Sequence, residues 1–341
     1  MRRRRLSEAG EKAATRMIVE KVLAPRWRCP SLGPGDDASC VGPGQPRLLV
    51  KIDGGSIAGS RPAWMGLRCL GWQWVAAAAS DLAAKAARPA VFLVSLGVPA
   101  GWSTGQLLEL VEGAAEAAEA HGAWLAGGDT NADPGGGGWL DVAAVGEAAP
   151  AWGPIGMRPG AGDAVFATVG RLGLGWLALR YAAEREPPEG LRRALLEWAR
   201  PLARLGFVDL ASRLPGGCLS AATDTSDGLA EALGRLAEAA GGEAVLEAPP
   251  PLHPAAEEEA ERLGFDPLEA ALYGGQEYEV VFTAPPHCVD RVLGEAAGLG
   301  LGVALLGRLA AGGRRGWVRC CGRLLPGRGW DQFLGGTGGP V

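Results

Sequence analysis

Aspartates recur along this chain at turns that border apolar strands or helix starts, and this pattern constrains the fold more than any other feature. Most of them have Gly or Ser beside them, and they are Asp36, Asp37, Asp53, Asp81, Asp129, Asp224 and Asp227. Loops at strand ends are where ligands bind in α/β folds, so the pattern predicts an acidic site where these loops meet. Carboxylates gathered there would repel one another unless cations held them. Oxygen ligands of this kind suit Mg²⁺, especially Mg²⁺ that also bridges substrate phosphates.

The stretch DTSDGL, residues 224–229, places two of these carboxylates between an apolar run and a helix-like stretch. Helix capping is the simpler interpretation, since Ser226 or Asp227 could accept hydrogen bonds from the free N–H groups of the first helical turn. Caps are much commoner than metal sites, so the motif by itself favours capping. One cap accounts for only one carboxylate, and the rest of the chain has to decide.

Strand-like and helix-like stretches alternate along the chain, which predicts an α/β fold. The expected elements include strands at 47–55 and 90–98, a helix from Ser103 to His121, a short strand ending at Asp129, and helices at about 189–212, 227–240 and 286–299. A chain of 341 residues has room for two cores. We therefore expect an N-terminal domain over 1–151, a C-terminal domain over 152–333 and a disordered tail over 334–341.

Charge and hydropathy exclude several classes of protein. The net charge of −5 leaves no basic footprint and argues against a nucleic-acid partner. The longest apolar stretch, from Pro89, contains Gly and Pro and is too short to span a bilayer. No apolar segment follows the basic run Arg2–Arg5, as it would in a signal peptide. We expect a cytoplasmic protein with no membrane partner.

Cysteine and histidine offer little chemistry. The seven cysteines form no C-x-x-C pair and are odd in number, which favours buried free thiols over a disulfide framework or a zinc site. The three histidines stand far apart, so a histidine metal site or a Ser-His-Asp triad is disfavoured. Neither a P-loop nor a Rossmann glycine motif is present, and lysine occurs only at positions 12, 21, 51 and 85. A nucleotide site would therefore neutralise phosphate by metals, backbone N–H groups and an arginine.

Nine motifs, in order and spacing, resemble the thiamine-monophosphate kinases, which belong with aminoimidazole ribonucleotide synthetase and selenophosphate synthetase to one ATP-binding superfamily. They are SEAGE, GPGDDA, VKIDGG, ASDLAAKAARP, AGGDTN, RPGAGDAVFATVG, ATDTSDGL, YGGQEYEVVFT and GRGWDQF. The resemblance implies a two-domain fold whose N-terminal sheet forms the interface of a homodimer. It also implies ATP and several Mg²⁺ ions in the cleft between the domains.

The same resemblance assigns roles to individual residues. It implies metal binding by Asp37, Asp53, Asp81, Asp129, Asp224 and Asp227, ATP binding by Gly128, Asp129, Arg158 and Ser226, and substrate binding by Ser60, Gln276 and Trp330. The implied reaction transfers the γ-phosphoryl group of ATP to thiamine monophosphate. Its acceptor is already anionic, so no residue is expected to act as an acid or base.

Departures from the family pattern cluster on the acceptor side. Ser60 stands where the family has a histidine, and Gln276 stands where it has an acid. Glu277 offers a carboxylate at the next position. Two alternatives therefore stay open: an enzyme that uses ATP on another small phosphorylated or carboxylated metabolite, and a nucleotide-binding paralogue without catalysis.

Overall fold

A computed structural model describes residues 6–27, 32–42, 45–329 and 333, and shows two mixed β-sheets with helices packed on them. Trp330 and the tail over 334–341 lie outside the described residues. The strands are β1 Ser39–Gly42, β2 Gln45–Ser56, β3 Ala87–Val98, β4 Trp124–Ala132, β5 Trp139–Ala148, β6 Ala164–Thr168, β7 Ala221–Asp224, β8 Gly242–Leu246, β9 Val280–Ala284, β10 Val303–Ala311, β11 Trp317–Cys320 and β12 Arg323–Pro326.

The α-helices begin with two short N-terminal ones and continue between the strands. They are α1 Leu6–Ala9, α2 Glu11–Ile18, α3 Leu67–Ala84, α4 Thr104–Ala120, α5 Leu174–Arg180, α6 Arg192–Ala199, α7 Leu205–Arg213, α8 Leu229–Ala239, α9 Pro254–Leu263, α10 Pro267–Leu272 and α11 Val289–Leu299. A π-helical turn at Val19–Leu23 and 3₁₀ turns at Ala24–Arg26, Glu189–Leu191 and Pro286–Cys288 complete the set. None of the helices in the described ranges is long and apolar enough to cross a membrane.

Both sheets are mostly antiparallel. The first has the strand order β1-β2-β5-β3-β4, in which only β3 and β4 run parallel, joined through α4. The second has the order β12-β11-β8-β10-β6-β9-β7, in which only β11 and β8 run parallel. Parallel neighbours need a crossover connection, and α4 supplies it for β3 and β4. The α/β prediction is confirmed in the mixed form that the resemblance implied.

Helix α3 is the central element. Its sequence, rich in Ala and Trp, has no polar stripe, and all of its residues except Arg68 and Cys69 are buried. A helix that is apolar all round must be covered on every side. It shares one core with the first sheet and with Leu177, Trp198 and Tyr278 of the second half. The two halves of the chain are therefore packed against a common helix.

Glycines allow α3 and α4 to cross at close range. A Cβ atom at Gly71 would lie 2.0 Å from Leu110 O, and one at Gly113 would lie 1.9 Å from Arg68 O. No real Cβ tolerates such distances, so each helix presents its bare backbone to the other at the crossing. The crossing fixes the position of α3 over the first sheet.

The expectation of free thiols is wrong for three cysteines. Cys218 and Cys288 form a disulfide with 5.5 Å between their Cα atoms, and Cys40 is also disulfide-bonded. Cys69, Cys320 and Cys321 are free. The partners Cys218 and Cys288 are 70 residues apart, and only the packing of α7 and α11 beside β7 brings them together. Spacing along the chain carries no sign of such a pair.

Several predicted elements differ in extent. The helix predicted at about 189–212 is two helices, α6 and α7, because Pro201 lies in the segment between them. Asp53 and Asp129 lie within β2 and β4, although the sequence suggested that each strand ends there. Flanking glycines are typical of turns, but both strands continue through them.

Candidate active site

Four carboxylates from both halves of the chain converge beside the C-terminal part of α3. Asp37 comes from the loop before β1, Asp53 from β2, Asp81 from α3 and Asp224 from the end of β7. They are close enough that burial, together with the charges of Asp224, Asp53 and Asp37, places the pKa of Asp81 well above its usual range. Asp81 is thus within electrostatic range of the other three acids.

Asp81 is neutralised by a lysine. Lys51 Nζ lies 2.7 Å from Asp81 Oδ2 and 3.7 Å from Asp53 Oδ2. Burial by itself would lower the pKa of Lys51, but Asp81 and Asp53 outweigh it and raise that pKa. The lysine therefore stays charged and links β2 to α3 within the acidic cluster.

Asp224 has one satisfied and one unsatisfied oxygen. Its Oδ1 accepts hydrogen bonds from Ser226 N at 3.2 Å and Ser226 Oγ at 2.8 Å. The Ser80 hydroxyl faces the carboxylate, but neither Ser80 Oγ nor Asp224 Oδ2 completes a well-aligned hydrogen bond within the described ranges, and both are buried. Burial and the charge of Asp37 raise the pKa of Asp224. A buried carboxylate oxygen without a donor is suited to a cation.

Asp36 and Asp37 hold the N-terminal loop against the second half of the chain. The fully buried Lys85 places its Nζ 2.5 Å from Asp36 Oδ1, 3.1 Å from Asp37 Oδ2 and 2.5 Å from Ala222 O. Arg235 Nη1 donates to Asp37 Oδ1 at 2.6 Å. Burial would raise the pKa of Asp37, but Arg235 and Lys85 outweigh it and hold that pKa well below its usual range.

The DTSDGL stretch is not a helix cap. Helix α8 begins at Leu229 with Gly228 as its N-cap, and no side chain caps it. The Ser226 hydroxyl bonds Asp224, and the Asp227 carboxylate forms an ion pair with Lys12 of α2, which also lies 3.3 Å from Glu231 Oε1. The capping interpretation is therefore wrong, and both carboxylates face cations or the acidic cluster.

The loop that carries Gln276 wraps the same turn. Gln276 N donates to Ser226 O at 2.7 Å, and Gln276 and Tyr278 both have positive φ, at 55° and 53°. Tyr278 is buried beside the acids, and burial together with Asp53 and Asp224 raises its pKa. Positive φ is costly for residues of this size, so the surrounding packing must impose the conformation.

The Glu277 carboxylate is bound at the N-terminal end of α5. Its Oε1 accepts hydrogen bonds from Gly173 N at 2.6 Å and Gly175 N at 3.2 Å, and the side chain is almost fully buried. Burial raises its pKa to about 8. It does not offer a carboxylate in place of the one missing at Gln276, as the sequence allowed.

Three predicted nucleotide residues form no hydrogen bond or ion pair with the four acids in the described part of the chain. Asp129 is exposed on the edge strand β4, where its side chain accepts hydrogen bonds from Thr130 N and Asn131 Nδ2. A Cβ at the neighbouring Gly128 would lie 1.9 Å from Val94 O, so only glycine fits there. Arg158 is exposed and shares a shallow pocket with Asp36 and the loop 32–35.

No hydrogen bond joins the predicted substrate residues Ser60 and Gln276 within the described ranges. Ser60 lies in the turn after β2, where its N donates to Ser56 O at 3.0 Å, and no hydrogen bond joins it to the acids within the described part of the chain. Gln276 lies beside Ser226. Trp330 is outside the described residues, although the segment that leads to it packs on the turn, since Gly329 N donates to Glu231 Oε2 at 3.0 Å.

The donor set fits a hard cation. Among the described residues, no three carboxylate, histidine or cysteine side chains meet as a metal cage. The converging side chains are nevertheless all oxygen donors, and Asp224 Oδ2 is buried without a partner there. Such a set matches Mg²⁺, which takes few protein ligands and completes its shell with water and phosphate.

Known proteins resemble this chain over most of its length. Residues 35–148 match the AIR synthase related protein, N-terminal domain, and residues 160–318 match the corresponding C-terminal domain. The curated thiamine-monophosphate kinase of Pyrobaculum calidifontis is 31% identical over 316 residues, covering 91% of this chain and 94% of that protein. The chain belongs to the thiamine-monophosphate kinase family.

Two solved structures share the fold of this thiamine-monophosphate kinase family member. The crystal structure of tt0281 from Thermus thermophilus is 35% identical, with a TM-score of 0.81 over 94% of this chain and 100% of that one. AaThiL complexed with AMPPCP and TMP is 23% identical, with a TM-score of 0.78 over 97% of this chain and 100% of that one. At this lower identity the second likeness shows the fold alone.

Sequence reasoning missed the cations at the site. Lys12, Lys51 and Lys85 each form an ion pair with at least one of the recurring aspartates, and Arg235 forms another. A usable signal was present, because three of the only four lysines in the family member lie here.

Proposed function

We propose that this chain catalyses Mg²⁺-dependent transfer of the γ-phosphoryl group of ATP to thiamine monophosphate, giving thiamine diphosphate. The observation that carries the proposal is the 31% identity to a curated thiamine-monophosphate kinase over nearly the whole of both chains. The convergence of Asp37, Asp53, Asp81 and Asp224 supports it, because phosphoryl transfer from ATP relies on metal ions held by carboxylates.

Mg²⁺ would be held by the acids that face the cluster. Asp53, Asp81 and Asp224 offer oxygens on one side of α3, Asp37 and Asp227 flank them, and Asp129 would join from β4. When bound, Mg²⁺ would neutralise the phosphate oxygens of ATP and fix their positions. Asp224 is held in place for this by the two hydrogen bonds from Ser226.

The remaining contacts to ATP would come from the turn, the pocket loop and β4. Gly128 has no side chain and Ser226 lies in a turn, so both would approach the nucleotide through backbone atoms. Arg158 is exposed, and in the described part of the chain its guanidinium pairs with no carboxylate, so it can contact phosphate. An anionic acceptor needs no general base. The rate enhancement would come from positioning the reactants and neutralising their charges.

The acceptor would lie near Ser60, Gln276 and Trp330. Gln276 is held against the nucleotide turn by its bond to Ser226 O, which suits a residue that meets the acceptor phosphate beside ATP. Its neutral amide can donate and accept hydrogen bonds but cannot pair with a cationic ring. This substitution favours, as a second candidate, a different small phosphorylated or carboxylated acceptor.

A homodimer and a cytoplasmic location complete the proposal. One face of the first sheet is apolar and exposed, with Ile52 at 66%, Trp124 at 75%, Leu93 at 45% and Val50 at 38% exposure. Ile52 and Leu93 are aligned through Ala143 of β5, so these side chains share one surface. Apolar faces of this kind mark interfaces. Replacing Ile52 by Glu should convert the dimer to a monomer in analytical ultracentrifugation, and an unchanged mass would remove this interface.

The catalytic proposal is tested with purified protein, ATP, Mg²⁺ and thiamine monophosphate. Mass spectrometry should detect thiamine diphosphate that requires Mg²⁺, and Asp81→Ala should lower its formation by at least about 100-fold. Asp209→Ala is the matched control, because Asp209 is an exposed acid of α7 that pairs with Arg88 on the surface. Full activity in Asp81→Ala would contradict the assignment of Asp81.

Absence of product from the unaltered chain would have a different meaning. If the chain still bound AMPPCP in the presence of Mg²⁺, the thiamine acceptor would be wrong and the ATP site retained. A screen of phosphorylated and carboxylated metabolites, with ATP consumption as the readout, would then identify the acceptor.

A further inference from the structure

Lysine is concentrated at the acidic cluster. The chain has only four lysines, and all its other basic side chains are arginine apart from three histidines. Lys12 pairs with Asp227, Lys51 with Asp81 and Lys85 with Asp36. An ammonium group is a compact, strongly hydrated point charge, whereas guanidinium is flat and delocalised. Among side chains, lysine therefore comes closest to a small metal cation.

Lys51 has the geometry of a cation held between two carboxylates. It lies opposite Ala144 of β5 and two residues before Asp53, so Lys51 and Asp53 share one face of β2. Its Nζ is 2.7 Å from Asp81 Oδ2 and 3.7 Å from Asp53 Oδ2. The Lys51 side chain is 22% exposed and that of Asp81 is 7% exposed. The stem is thus packed between β2 and α3, and the ammonium group is fixed among the acids.

The other two lysines serve different contacts. Lys85 is fully buried and also donates to Ala222 O, which makes it a structural link between α3 and β7. Lys12 is half-exposed on α2 and reaches Asp227 from outside the cluster. Of these three lysines, Lys51 is the one that contacts two acids of the central four. A buried carboxylate pair without such a charge would carry an uncompensated cost.

We propose that Lys51 is a built-in cation that replaces one divalent ion at the Asp53–Asp81 pair. The inference rests on the proposed metal site. Lys51 neutralises the Oδ2 atoms of both carboxylates, and divalent ions bind at the oxygens it leaves, among them the buried Asp224 Oδ2, which completes no well-aligned hydrogen bond among the described residues. Lys51 thereby limits the number or the affinity of the divalent ions that the chain holds.

The test counts bound Mn²⁺ by electron paramagnetic resonance, with and without AMPPCP and with no acceptor present. Lys51→Met removes the charge and keeps the length of the side chain. This variant should bind one more Mn²⁺ per chain, or bind the same number with a dissociation constant lowered by about tenfold or more, because a repelling charge has gone. Arg88→Met, which removes a surface charge paired with Asp209, should behave like the unaltered chain.

Two results would overturn the proposal. One is an unchanged or weaker Mn²⁺ affinity with an unchanged count in Lys51→Met. The other is loss of AMPPCP affinity with an unchanged ion count, which would make Lys51 a phosphate contact. If Lys51→Met unfolds without metal, Mn²⁺ should raise its melting temperature more than that of the unaltered chain, and an equal rise would refute the idea.

Failure of the proposed enzymatic function has its own signature. Because ions are counted without an acceptor, an inability to phosphorylate thiamine monophosphate would leave the Lys51 result intact. Absence of Mn²⁺ binding in every variant would instead remove the metal site on which both proposals stand.

Discussion

The buried Glu277 should make the stability of this protein fall as pH rises, and Glu277→Gln should remove that dependence. Burial raises the pKa of Glu277 to about 8, whereas in the unfolded chain that pKa should lie near its ordinary value of 4.5. Between these two values the folded chain keeps a proton that the unfolded chain has lost. Stability is therefore highest at low pH and is lost as pH rises from the unfolded pKa to the folded one.

The size of the effect follows from the shift. One pKa unit is worth about 1.4 kcal/mol, and integration between about pH 5.5 and pH 8.5 gives a loss of about 3 kcal/mol from this group. Glutamine stays neutral throughout and can still accept the hydrogen bonds from Gly173 N and Gly175 N. The variant should therefore gain about 3 kcal/mol relative to the unaltered chain over that range.

Urea unfolding at several pH values across this range measures the difference. Other groups titrate as well, so the quantity to compare is the free energy of unfolding of Glu277→Gln minus that of the unaltered chain at each pH. Glu258→Gln is the matched control, because Glu258 is exposed on α9. If the difference for Glu277→Gln is as flat as the one for Glu258→Gln, the buried carboxyl group does not hold its proton.

Three further changes have defined outcomes. Lys85→Met should lower the free energy of unfolding in urea by about 3 kcal/mol, because it leaves the half-buried Asp36 and the carbonyl of Ala222 without their cation; a loss below about 1 kcal/mol would contradict the structural role. Replacing both Cys218 and Cys288 by Ser should lower the free energy of unfolding by about 4 kcal/mol, the value expected for a disulfide that closes a loop of this length. Reductant should then cause no further loss of stability through this disulfide. Asp227→Asn should abolish Mg²⁺-dependent AMPPCP binding measured by calorimetry, with an unchanged circular dichroism spectrum; retained binding would remove Asp227 from the metal ligands.

The sequence predicts the acidic site better than the elements that build it. The recurrence of Asp37, Asp53, Asp81 and Asp224 is visible in the sequence, because each lies in a short local motif. The structure brings these four acids near one another. Asp53 and Asp129 were expected at strand ends because glycines follow or precede them. The strands continue because neighbouring strands supply the hydrogen bonds, and this information is not local.

Contacts between distant residues could not be predicted. Lys85 reaches Ala222, 137 residues away, and the disulfide joins residues 70 apart. The spacing of these residues along the chain does not predict either contact, because each depends on how the second half packs on α3. The failed capping prediction has a different cause: α8 begins at Leu229, so Gly228 occupies the N-cap position instead of Ser226 or Asp227.

The shared helix α3 also limits how this protein can be divided. Its Trp- and Ala-rich surface is covered by the first sheet on one side and by elements of the second half on the other. A fragment that ended after the first sheet would expose that second side to water and should aggregate during synthesis until the rest of the chain arrives. The two halves must therefore be made, folded and degraded together, and a ribosome that stalls between them would release a product in need of a chaperone.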